Sequence, residues 1–286
     1  MNDRHILSWT LVALVFWLFN VMLHLEFSNW IIVNYSTPFG DFVPRDHTQP
    51  IAFTVCLLVA ALVFRLWFRG SNRNITLASW LLLFAAMTAC MFLITTTAVE
   101  MIHFLQYGIL AFMLAYAFDR DRIYWPLLTL MFMTTGLGIL DELNQYFYLT
   151  INNSSYIDFN DFVLNQIGAC AGLLVHYGFT PAPQKHSRWN ILQTITAAGY
   201  ALLGLIALLL GISGHLKYTP VNTVPPGGID LVDGSVVIFF QREPGLLSSY
   251  LPTFTTGHYY VMGIIEGFLV IMLIAGLLHL YKVSCR

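Results

Sequence analysis

Apolar runs of about twenty residues recur along this chain, and nothing else in the sequence limits its folding as strongly. Each is long enough to cross the ~30 Å hydrocarbon core of a bilayer as a helix, which satisfies its own backbone N–H and C=O groups where no water is present. The first run ends near position 25. It is too long for the apolar part of a secretory signal and lacks a small-residue cleavage site, so it reads as a retained helix. Further runs cover about 50–67, 77–99, 100–118, 126–148, 161–179, 189–210 and 258–281. Composition agrees, with 57% hydrophobic and 10% charged residues among 286 and a mean hydropathy of +0.69. The expectation is an all-α, polytopic transmembrane bundle of about eight spans.

Three stretches divide the chain. Residues 1–76 hold two spans, 77–180 a four-helix core, and 181–286 two more spans around a long extramembrane loop at 211–257. In that loop IDLV and SVVIFF flank Asp233-Gly234, the pattern of a β-hairpin with a type I′ turn. The thirteen basic residues orient the whole. With the N-terminus cytoplasmic, Arg4, Arg65, Arg69, Arg73, Arg120, Arg122, Lys185, Arg188, Lys282 and Arg286 lie inside, and only Arg45, Lys217 and Arg242 lie outside. Both termini are then cytoplasmic and the hairpin loop is extracytoplasmic. A net charge of −2 without a basic tract gives no reason to expect a nucleic-acid partner. Cys56, Cys90 and Cys170 fall inside apolar runs and Cys285 near the terminus, without CxxC spacing, so they read as small packing residues.

Against this apolar background, polar side chains gather in residues 100–172. At about 100° per residue, Glu100, His103 and Tyr107 share one helix face, Asp141, Gln145 and Tyr148 a second, and Asp161, Asn165, Gly168 and Gly172 a third. A charge at the centre of a bilayer-spanning helix costs at least ~2.5 kcal/mol, so these faces turn inward. The orientation above puts them toward the outer leaflet.

In this stretch the chain resembles the VanZ-like family of bacterial membrane proteins. The likeness rests on His103 with Tyr107, on Asp141-Glu142-x-x-Gln145 closing one helix, and on Asp161-x3-Asn165-x2-Gly168 opening the next, across about residues 77–180. It implies a multi-pass protein of the bacterial cytoplasmic (inner) membrane working in the cell envelope, and the founding member is associated with teicoplanin resistance. The family's Arg between the Gln and the later Asp is missing, because residues 149–160 contain no basic residue. Recognition of a phosphate or carboxylate by a cation would have to come from Arg45, Lys217 or Arg242.

Several roles fit these residues. His103 suits a general acid or base, with Asp141 or Glu142 as its partner and Asp161 as an orienting carboxylate; Tyr107, Gln145 and Asn165 suit substrate hydrogen bonding. Asp141 and Glu142, being adjacent, are expected to diverge by about 100°. His103 with Asp141 and Asp161 also offers ligands that suit zinc or manganese, but the spacing matches no metal motif and no metal or cofactor is assigned. Glu100 and Glu266 read as supporting carboxylates, Glu266 in the middle of the last span. Gly168 and Gly172 form a GxxxG expected to bring Asp161 and Asn165 close to the 126–148 helix. His24 and Glu26 read as interfacial anchors. Three functions follow: an enzyme acting on membrane lipids or a lipid-linked envelope precursor, a protein that binds or moves such an amphiphile, and a scaffold whose 211–257 loop captures an extracytoplasmic partner through the VVIFF edge.

Overall fold

The computed structural model describes residues 3–35, 73–95, 98–122, 127–149, 157, 159–178, 191–219, 229–232, 235–242, 245–247 and 259–284. The expected span at 50–67, Arg45 and the Asp233-Gly234 turn lie outside the described residues. Seven α-helices are present among them: α1 (Asp3–Tyr35), α2 (Arg73–Leu93), α3 (Ala98–Phe118), α4 (Leu127–Asn144), α5 (Phe159–Tyr177), α6 (Ile191–Ile212) and α7 (Ile264–Ser284). A five-residue π-turn, Gln145–Leu149, extends α4.

Four of these helices are long and apolar enough to cross a membrane, in the windows His5–His24, Glu100–Phe118, Thr194–Ile212 and Ile264–Tyr281. The expected run at 50–67 lies outside the described residues, the apolar part of α2 is shorter (Leu77–Cys90), and α4 and α5 differ in where their polar residues sit. α5 is the central helix, buried along nearly its whole length, and α4 packs against it. Both carry polar side chains that neighbouring helices surround, so neither has to match lipid. α6 is the opposite case, exposed along its span and held to α4 by the Tyr200 hydroxyl, which donates to the Phe132 carbonyl.

α3 lies against α5 over the most extensive interface in the bundle, with α1 behind α3, and α2 and α7 against other sides of α5. Glycine sets the α3–α5 distance. A methyl group on Gly172 would collide with the Gly108 carbonyl oxygen, and one on Gly168 would lie 2.8 Å from the Phe104 carbonyl oxygen. The GxxxG of α5 therefore meets α3, where sequence had pointed it at the 126–148 helix. Buried amides on α5 hold α7: Gln166 Nε2 donates to the Ile271 carbonyl at 3.3 Å. Asn160 donates to the Ile94 and Tyr260 carbonyls at 3.3 and 3.0 Å and accepts from the Met262 amide at 3.1 Å.

Helix ends follow local chemistry. α6 stops where Gly214 adopts φ +77° and the His215 amide bonds the Leu210 carbonyl at 2.9 Å, a glycine-terminated C-cap. Beyond it, β1 (Leu216–Thr219), β2 (Ile229–Val232) and β3 (Ser235–Arg242) form a mixed sheet in the order β1-β3-β2. β1 runs parallel to β3 and β2 antiparallel to it; β4 (Gly245–Leu247) and β5 (Tyr259–Val261) form a separate antiparallel pair. The loop is thus more than the hairpin expected from sequence. β3 is the central strand, paired on both sides, so the VVIFF segment offers no free edge for a partner strand.

Candidate functional site

α3, α4 and α5 bring their polar faces together at one end of the bundle, the end to which Asn160 ties β5. α3 supplies His103 and Tyr107 one turn apart, with ring centroids 6.1 Å apart and planes at 24°. α4 supplies Asp141 and Glu142 from its last turn, and α5 supplies Asp161 and Asn165 from its first two turns. His103, Tyr107, Asp141, Glu142 and Asn165 are all buried, and Asn165 is 0% exposed. Asp161, its side chain 17% exposed, stands with the half-buried Glu100 and Gln145 toward the surface.

The Tyr107 hydroxyl donates to Asp141 Oδ2 at 2.9 Å. His103 Nδ1 is 2.9 Å from the Glu100 carbonyl oxygen and 3.9 Å from Asp161 Oδ1, and its Nε2 is 3.8 Å from Glu142 Oε1. Asp141 and Glu142 therefore both join the cluster, against the divergence expected of neighbours. Each meets a different residue of α3, and Tyr107 and His103 are displaced along that helix by one turn. Gln145 Nε2 donates to Glu142 Oε1 at 3.3 Å. Tyr148 leaves the face that sequence assigned it and is 75% exposed. The π-turn begins at Gln145, and its wider turn breaks the 100° arithmetic that had aligned 141, 145 and 148.

Asn165 is seated by glycine: its Nδ2 is 2.7 Å and the Tyr107 ring 3.2 Å from where a Cβ on Gly138 would stand. Both amide atoms of Asn165, Asp141 Oδ1 and His103 Nε2 are buried without a hydrogen-bond partner. Unpaired buried polar atoms cost about 1–3 kcal/mol each, so four in one cluster mark a place built for a further polar group. Among the described residues, no group of three or more His, Cys, Asp or Glu side chains has the geometry to hold a metal ion.

Glu266 does not belong to this cluster. It lies in the first turn of α7 and is exposed, accepting from the Gly263 amide at 3.1 Å and the Tyr260 hydroxyl at 2.9 Å. That is the return half of a capping box, with the helix beginning several residues later than the apolar run suggested. The same hydrogen bond to Glu266 raises the Tyr260 phenol above its ordinary range.

One partner escaped the sequence reading. His24 of α1, expected as an interfacial anchor, stacks obliquely on His103 with centroids 6.1 Å apart. Asn20 Oδ1, a turn earlier, accepts from Gln106 Nε2 at 3.3 Å, and Trp17 Nε1 donates to the Leu137 carbonyl at 3.0 Å. Residues 17, 20 and 24 make a polar stripe at helical spacing, the signal that could have placed α1 beside the site. No protein-family model, curated protein or solved structure matches this chain.

Proposed function

We propose that this chain is a VanZ-like, eight-span protein of the bacterial cytoplasmic membrane whose cluster on α3, α4 and α5 carries out acid–base chemistry on the headgroup of a lipid or lipid-linked envelope component at the outer leaflet. The observation that carries this reading is the convergence of His103, Tyr107, Asp141, Glu142, Asp161 and Asn165 with four buried polar atoms left unpaired. His103 serves as the general acid or base, with Glu142 facing Nε2 and Asp161 facing Nδ1. Tyr107 holds Asp141, and Asp141 and Asn165 turn unpaired atoms toward the bound group.

Two features of the bundle support the surrounding picture. α1 and α2 both run toward the site end, since His24 reaches His103 and Asn160 bonds the Ile94 carbonyl. The glycine contact of α3 with α5 lies next to the cluster and speaks for chemistry at one face over passage between these two helices. The distribution of basic residues supports cytoplasmic termini and an outward-facing site.

The test compares extracted membrane lipids and lipid-linked precursors from cells making the wild type, Asp141→Asn or Asp161→Asn at matched protein levels. A species that changes with the wild type and with neither variant is the expected result. Identical lipid and precursor profiles in all three would overturn the enzymatic reading.

A further inference from the structure

We infer that the group completing this site is a primary ammonium; the inference rests on the acid–base site proposed above and narrows what enters it. It follows from hydrogen-bonding valence. His103 Nδ1 faces the Glu100 carbonyl oxygen at 2.9 Å, and a carbonyl only accepts, so Nδ1 carries the hydrogen. Nε2 of the neutral ring then presents a lone pair. It has no hydrogen-bond partner, because Glu142 Oε1 is beyond reach at 3.8 Å and is itself an acceptor. Asp141 adds Oδ1 and Asn165 adds Oδ1, each buried and unpaired. The cluster's buried, unpaired atoms thus count three acceptors and one donor, Asn165 Nδ2, and turning the amide over leaves that tally unchanged.

The missing group is a donor. A phosphate or carboxylate brings only acceptors, would leave all three lone pairs unmet, and would put negative charge beside Asp141 and Asp161. A water brings two donors, two acceptors and no charge, so one water leaves an acceptor unmet and the carboxylates unbalanced. An ammonium brings three N–H groups and a positive charge, which matches the three acceptors in number and the carboxylates in sign and leaves Asn165 Nδ2 as the one donor to be met by another part of the bound molecule. Exposure falls along α5, from the partly exposed Asp161 to the fully enclosed Asn165 one turn on, which suits a headgroup on a flexible stem. Such an amine belongs either to a lipid headgroup or to a small soluble molecule.

The experiment uses the full-length protein in nanodiscs of phosphatidylcholine doped with a minor fraction of phosphatidylethanolamine or of phosphatidylglycerol, and reads the lipid retained by native mass spectrometry. Phosphatidylethanolamine is expected to be retained over phosphatidylglycerol by about tenfold, with the preference lost in Asp141→Asn and in Asn165→Leu. Displacement by free ethanolamine would assign the ammonium to a soluble molecule, and resistance to it would assign it to a lipid. Equal retention of the two lipids by the wild type, or preference for phosphatidylglycerol, would overturn the inference without needing either variant to fold. If that preference fails while Asp141→Asn still alters lipids in cells, the ammonium falls and the acid–base reading stands. Retention of phosphatidylethanolamine with unaltered cellular lipids reverses that outcome.

Discussion

Tyr107 shows how much depends on a single hydroxyl. Its hydrogen bond to Asp141 Oδ2 orients a carboxylate whose other oxygen has no donor. Tyr107→Phe should lower thermal stability by about 1 kcal/mol, since hydrogen bonds between membrane helices are modest, and should abolish the chemistry proposed for Asp141. Unfolding in detergent and the lipid comparison read the two effects separately; an unchanged lipid product in Tyr107→Phe would remove Tyr107 from the site. At this scale the sequence was most legible where polarity was rarest. His103, Asp141 and Asp161 stand out because an ionisable side chain in an apolar run needs a partner. Glu266 met the same criterion and was misplaced, because the apolar run begins before the helix does and composition does not distinguish a strand leading into a helix from its first turn. His24 was discounted for lying near the end of a run, a position that describes an anchor and a site residue equally well.

Among the helices, glycines of the same type do different work. Gly172 and Gly168 set the α3–α5 separation, whereas a methyl group added to Gly204 on α6 would meet nothing within 4 Å. Gly172→Leu should therefore displace α3 and cost at least ~1–3 kcal/mol, seen as lost folded protein by size exclusion and a lower unfolding temperature. Gly204→Ala should be neutral or should stabilise α6 by up to ~1 kcal/mol. Equal tolerance at the two positions would mean that the α3–α5 contact does not depend on glycine. The GxxxG could be read in advance, but its partner could not, because a small-residue spacing gives a helix face without saying which helix approaches it. The π-turn at Gln145–Leu149 was likewise silent, since its residues are ordinary helix formers and only their neighbours decide the wider turn.

For the whole molecule, hydropathy gave the helical class at once, and among the described residues four of its apolar runs are helices long and apolar enough to cross a membrane. Apolar runs mark burial, and burial against protein resembles burial in lipid until the polar residues are located. α4 and α5 carry those residues at the centre, whereas α6 has no charged residue and faces outward. Asp119 meets Tyr177 and His176 at the end of α5, so exposed Asp121 lies at the end of the bundle away from Asn160 and β5, and the topology proposed above puts exposed Lys217 on the opposite side of the membrane from it. With the four native cysteines replaced, Asp121→Cys and Lys217→Cys should react with an impermeant maleimide from opposite sides of sealed membranes. Labelling of both from one side would contradict the assembled topology. Finally, Asn160 has a mechanical consequence. Its single amide grips the backbone on either side of Val261, and the next residue along α5 is Asp161. A tug on the strand leading into α7 would reach the acidic rim through one side chain, so whatever pulls on that strand also strains the mouth of the site.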